Sequence, residues 1–192
     1  LFVGVSPVSG IDSTYRTLLK FELPTIGTGS QIVDATINLI GYPIKNWSPD
    51  TQLLAVHRIT APWDEMTATW NTMNDKYDKK VENIFYSMRS KEDDNGVITP
   101  FISTVSITNL VRKWYTGTLN YGVMLKANKE IKIDASIPMF FSKNNTVIGS
   151  NPKPVLAISY RNQNGIEDYM DYQIQSFSKG NAYANIYNGN LT

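Results

Sequence analysis

The sequence predicts an all-β protein, an antiparallel β-sandwich of jelly-roll type with one short helix. Three observations point there. Most apolar residues fall in short runs bounded by Gly, Pro, Asn, Asp and Ser, which is strand punctuation. Several runs alternate with period two. One segment, Ser106 to Trp114, instead repeats at helical spacing. Many short strands with turns between them, plus one helix, bury their apolar faces best as two stacked sheets.

Strands are expected near Leu1 to Val5, Tyr15 to Leu23, Ile32 to Tyr42, Leu53 to Ile59, Tyr121 to Ala127, Met139 to Ser142 and Val155 to Tyr160. In the third of these, Ala35, Ile37, Leu39 and Gly41 make one apolar face while Thr36 and Asn38 alternate with them, as a sheet with one wet face requires. Gly27-Thr28-Gly29 is too short for a phosphate loop and has no helix after it, so it reads as a hairpin connection. In the helical segment Ile107, Leu110, Val111 and Trp114 share a face, with Ser106 as N-cap and Arg112 and Lys113 near the C-terminal end. Asn74 to Gly96 is polar and turn-rich and reads as a long insertion loop. After Tyr160 a polar linker, Arg161 to Gly165, leads into a stretch rich in Tyr, Asn and Gly. The expected organisation is one domain over residues 1–160, with residues 161–192 either starting a following unit or draping over the first.

Composition excludes several functions. The 192 residues carry 18 Lys and Arg against 17 Asp and Glu, which gives no basic stripe for nucleic acid. No run approaches the ~18 apolar residues of a membrane span, so no membrane insertion is expected. The absence of cysteine removes disulfides, thiolate zinc sites and thiol nucleophiles. His57 is the single histidine and has no second imidazole to share a metal; it reads as a strand residue on the solvent face.

The densest signature is Trp63-Asp64-Glu65-Met66-Thr67-Ala68-Thr69-Trp70-Asn71. Two indoles and an acid could stack a sugar ring. The structural reading is preferred: Trp63 and Trp70 plug the end of the sandwich, Glu65 accepts backbone donors in the turn, and Trp114 packs the helix. Paired carboxylates for glycoside hydrolysis would have to flank a bond. Adjacent acids such as Asp64 and Glu65 point to opposite faces of a strand, so catalysis is not expected. Asp93-Asp94-Asn95-Gly96 reads as a turn whose oxygens could hold a structural calcium ion, without the spacing of an EF-hand loop. No other cofactor is expected. Aromatics in or beside loops, namely Trp47, Tyr77, Tyr86 and Tyr115, are the candidate carbohydrate-contacting residues, and nearby Lys or Arg would favour an acidic glycan.

Taken in order, several segments resemble one family. Leu1-Phe2-Val3-Gly4, Tyr15 to Pro24 and Ile32 to Leu39 look like the opening of the DNRLRE domain. Trp63 to Asn71 is similar to that family's W-x-E-x-x-T-W-N element. Ser106 to Trp114, Asn120 to Leu125, Phe140-Phe141-Ser142 and Pro154 to Tyr160 resemble its closing helix and strands. The resemblance implies a non-catalytic jelly roll of secreted bacterial proteins, some of whose members are carbohydrate-binding modules of family 96. It transfers no glycan-contacting residue. Gly165 to Tyr172 and Tyr183 to Leu191 look like the lead-in to the YD-repeat shell of Rhs and wall-associated proteins. The expected function is therefore a non-catalytic module, secreted or at the cell surface, that binds extracellular or cell-wall polysaccharide beside adjacent domains of the same polypeptide. The alternative is a structural spacer of an Rhs/YD-repeat protein that binds no glycan.

Overall fold

A computed structural model describes residues 1–8, 11–45, 51–130, 137–144, 153–161, 172–177 and 182–188. Their strands, in chain order, are β1 (Gly4–Val8), β2 (Ile11–Lys20), β3 (Gln31–Ile40), β4 (Ile44–Lys45), β5 (Leu53–Ile59), β6 (Tyr77–Tyr86), β7 (Lys91–Glu92), β8 (Ile98–Thr99), β9 (Ile102–Ser106), β10 (Val123–Ala127), β11 (Val155–Arg161), β12 (Tyr172–Phe177) and β13 (Ala182–Asn188). Two helices, α1 (Trp70–Met73) and α2 (Thr108–Tyr115), interrupt them. One sheet runs β1-β2-β10-β5-β6, with β13 on the other edge of β2; the second runs β12-β11-β3-β9. A small sheet, β4-β7-β8, stands apart. All pairs in the two large sheets are antiparallel. The fold is the all-β sandwich that the alternation predicts.

The core lies between the two sheets. Leu19, Leu54, Val56, Val123 and Leu125 from one meet Ala35, Ile37, Leu39, Val105, Leu156 and Ile158 from the other. Each of these Val, Leu and Ile side chains contributes roughly 1.5–3 kcal/mol on leaving water. Helix α2 adds Leu110, Val111 and Trp114 to this core, with Ile107 just before it. The helical face is as expected, but its start is not: Ile107 holds the N-cap position with no side-chain cap. Ser106 bonds the Thr108 hydroxyl instead, at 2.9 Å, and that hydroxyl donates to Asp34 Oδ1 at 2.9 Å, which ties the helix start to β3.

Three local expectations are corrected. Asn74 to Gly96 contains the ten-residue strand β6 rather than a loop. Its polarity belongs to the edge of a sheet, where Lys79 and Lys80 blunt exposed backbone, and two register shifts against β5 break its period. Gly27 to Gly29 forms a turn, with Ser30 N–H on the Gly27 carbonyl at 3.1 Å, but it links β2 to β3 across the sandwich, not two strands of a hairpin. Met139 and Phe140 make single bridges, to Phe2 and Gly41, in place of a strand. Beyond residue 160, β12 pairs with β11 and β13 with β2, so each large sheet gains a strand. Among the described residues no helix is long and apolar enough to cross a membrane.

Candidate functional site

The six-stranded sheet is covered on both faces over part of its area. Leu18, Met124, His57 and Val81 stand opposite one another across four strands and point away from the sandwich core, as do Lys126, Ala55 and Ile84 in the next row and Leu53 with Tyr86 beyond it. At one end this outer face is roofed. Leu18, Ile59, Met73, Tyr77 and Met124 form a second apolar cluster, on which Trp63, Trp70 and Tyr121 pack. Trp63 is fixed by its indole N–H, which donates to the Tyr121 carbonyl at 2.7 Å. Trp70 opens α1, whose start is closed by a reciprocal capping box between Thr69 and Thr72. In the turn before it, Asp64 rather than Glu65 takes the backbone donor, from Met66 at 2.9 Å, while Glu65 reaches Lys143 at 2.5 Å.

Under this roof charge and aromatic rings meet. The Arg16 guanidinium lies 3.9 Å from the Trp70 ring centroid and 5.6 Å from that of Tyr77. Arg16 Nε and Nη2 donate to the two Glu130 oxygens at 2.6 and 2.8 Å, and Lys126 Nζ stands 3.1 Å from Glu130 Oε2. The third nitrogen, Nη1, is buried with no hydrogen-bond partner among the described residues. Lys79 Nζ covers Tyr77 at 3.9 Å. Burial pushes the Glu130 carboxyl up, but the hydrogen bonds and charge of Arg16, with Lys126, hold it below the ordinary range. The Tyr77 phenol is likewise lowered, because Lys79, Arg16 and Lys126 outweigh its burial. His57 lies edge-on to Tyr77 at 5.3 Å and its Nδ1–H donates to the Asp78 carbonyl at 2.9 Å. It is on the outer face but buried, not solvent-facing, and that burial, with the charges of Lys126 and Arg16, depresses its pKa.

Away from the roof the face opens. Val81, Ile84 and Tyr86 are 39%, 48% and 62% exposed. Of the four loop aromatics singled out from the sequence, Tyr86 has an open ring on this face, whereas Tyr77 is 8% exposed between cations. Tyr115 is half-buried, donates to the Pro24 carbonyl at 2.7 Å, and burial with the nearby Tyr160 pushes its pKa up to about 12. Trp47 lies outside the described residues. Trp114 is in the main core. Asp93 Oδ1 accepts the N–H groups of Asn95 and Val97 at 3.0 and 2.8 Å, closing the turn around Gly96. Among the described residues no three His, Asp or Glu side chains gather as a metal site.

Sequence reasoning passed over Arg16, Lys79, Lys126 and Glu130. A signal was present: Arg16 and Leu18, like Met124 and Lys126, are two apart and therefore share a face. The roofed end of the outer face thus joins three cations, Arg16, Lys79 and Lys126, with the Glu130 carboxylate and the rings of Trp70 and Tyr77.

The sequence model of carbohydrate-binding module family 96 matches residues 2–160. No curated protein and no solved structure matches the chain.

Proposed function

The chain belongs to carbohydrate-binding module family 96, and from that premise we propose that it binds an extracellular or cell-wall polysaccharide on the outer face of its six-stranded sheet, without catalysing a reaction on it. One observation carries the placement. Tyr86, 62% exposed, stands on the same face as the cation-lined cluster around Tyr77, with Ile84 and Val81 between them. A pyranose ring lies well against such a phenol, and the polar groups at the roofed end would fix its orientation. Arg16, Lys79 and Lys126 against Glu130 leave a surplus of two positive charges beside the aromatic row, which favours an acidic sugar. The adjacent acids Asp64 and Glu65 are committed to a turn and to Lys143, which supports a binding role over hydrolysis.

The finer assignment is to the DNRLRE type of exported bacterial domain, leading into a YD-repeat polypeptide. It rests on the Trp63 to Asn71 element and on the motifs of residues 165–191. A second reading, a spacer without a glycan ligand, is favoured by the tryptophans: Trp63, Trp70 and Trp114 are half-buried or buried. Affinity electrophoresis in gels containing neutral and acidic wall polysaccharides separates the two. Retardation by at least one polymer, lost in Tyr86→Ala at an unchanged melting temperature, is expected. Free migration in every gel selects the spacer.

A further inference from the structure

Arg16 is the most deeply set cation on the outer face, and its strongest donors already hold a carboxylate. The Arg16 side chain is 7% exposed and that of Glu130 20%, so the carboxylate is the more open member of the pair. The attachment of Glu130 differs from that of its partners. β10 ends at Ala127, the Asn128 N–H still reaches the Leu53 carbonyl at 2.9 Å, and Glu130 is two residues further on. Its side chain can therefore leave Arg16 without breaking the β10–β5 ladder. Arg16 is held against the Trp70 ring at 3.9 Å and sits in β2, so it stays in place when Glu130 departs. A guanidinium fork takes any carboxylate through the same two N–H groups, and Lys126 supplies a second charge to the same oxygen.

We propose that Glu130 is an internal occupant of a carboxylate subsite formed by Arg16 and Lys126 beside the Trp70 and Tyr77 rings, and that an acidic sugar binds there by displacing it. The inference rests on the reading of the outer face as the glycan-binding surface. It differs from a fixed structural ion pair in how one substitution responds to salt. Glu130→Gln keeps shape and an acceptor oxygen but removes the charge, so an incoming carboxylate competes against a neutral hydrogen bond, in a partly buried contact that salt screens weakly. With a fixed pair the same change adds only Coulomb attraction across solvent, which ~1 M salt screens out.

The probes are sodium polygalacturonate and its fully methyl-esterified form, titrated into the full chain by calorimetry. In Glu130→Gln the preference for acid over ester is expected to rise about tenfold, the ratio that separates a charge-assisted hydrogen bond from a neutral one. No rise, or a rise that vanishes at ~1 M salt, overturns the displacement, including the case in which the wild-type chain binds neither probe and Glu130→Gln gains nothing. A second measurement needs no variant. With a galacturonate trisaccharide at saturation, the Glu130 carboxyl, followed by carbon NMR against pH, should return to the ordinary glutamate range; a titration unmoved by the sugar also overturns the inference. Failure of the underlying reading looks different, because Tyr86→Ala would then leave binding of both polymers intact.

Discussion

The Arg16 guanidinium stacks on the Trp70 indole at 3.9 Å while its edge grips Glu130 through two hydrogen bonds, so one side chain joins β2, α1 and the segment after β10. Cation–π contact contributes roughly 0.5–2 kcal/mol according to desolvation, and the bidentate pair adds to it. Arg16→Met removes both and leaves a largely covered carboxylate with Lys126 as its remaining cation. Because Glu130 keeps some solvent, the expected loss is about 2–3 kcal/mol, at the lower end for a buried pair. Urea unfolding should show a lower midpoint at unchanged slope. A loss under about 0.5 kcal/mol would place the pair with ordinary surface ion pairs.

Acid should weaken the fold in two steps. His57 and Glu130 are both depressed in the native state, from 6.5 and 4.5 respectively. The unfolded chain therefore binds more protons than the folded one, and stability drops as pH falls through each window. Stability carried by His57 is complete above about 6.5 and declines below it; that carried by Glu130 is complete above about 4.5 and declines below it. His57→Gln should flatten the melting-temperature profile between pH 7 and 5, and Glu130→Gln the profile below pH 4.5. A His57→Gln profile parallel to wild type would mean that the imidazole titrates alike in both states.

The parts of the sandwich legible in the sequence are those where one face alone is buried. Ala35, Ile37 and Leu39 in β3 and Leu156 and Ile158 in β11 alternate cleanly because polar neighbours fill the other face. β6 was illegible because its register slips twice against β5. Tyr77 and Tyr86 are nine residues apart, an odd separation that an unbroken strand would send to opposite faces, yet they share one. Trp63 and Trp70 were expected at the end of the core between the sheets, whereas they cover the outside of one. The consecutive apolar pairs Leu18-Leu19 and Met124-Leu125 carried that information, since a strand covered on both faces loses its alternation. The Arg16–Glu130 pair spans 114 positions, and no local pattern announces it.

Gly122 enters β10 at a backbone angle φ of +89°, and a Cβ there would run into the Leu19 carbonyl oxygen of the neighbouring strand. Gly96 has a similar angle, +79°, but faces open space. The two positions separate backbone strain from crowding. Gly96→Ala should destabilise by about 1 kcal/mol, the strain alone. Gly122→Ala adds overpacking against backbone that cannot rotate away, for a total of roughly 3 kcal/mol. Equal losses at the two sites in chemical denaturation would show that the β2–β10 contact yields easily.

Lys79 provides a test in which charge and stacking respond differently. Its ammonium is exposed, 3.9 Å above the Tyr77 ring, and a cation–π contact of an exposed lysine contributes roughly 0.5–1 kcal/mol, so Lys79→Ala should leave the melting temperature almost unchanged. Its contribution to an acidic polysaccharide is a Coulomb attraction across solvent, which salt screens with a Debye length of about 10 Å at 0.1 M and about 3 Å at 1 M. Affinity for such a polymer should therefore fall about three- to tenfold in Lys79→Ala at low salt, and the difference from wild type should shrink as salt rises. Tyr86→Ala removes ring contact instead, which salt does not screen, so its deficit should persist at 1 M. If both variants lose affinity in the same proportion at every salt concentration, Lys79 acts by shaping the Tyr77 surface and not by charge.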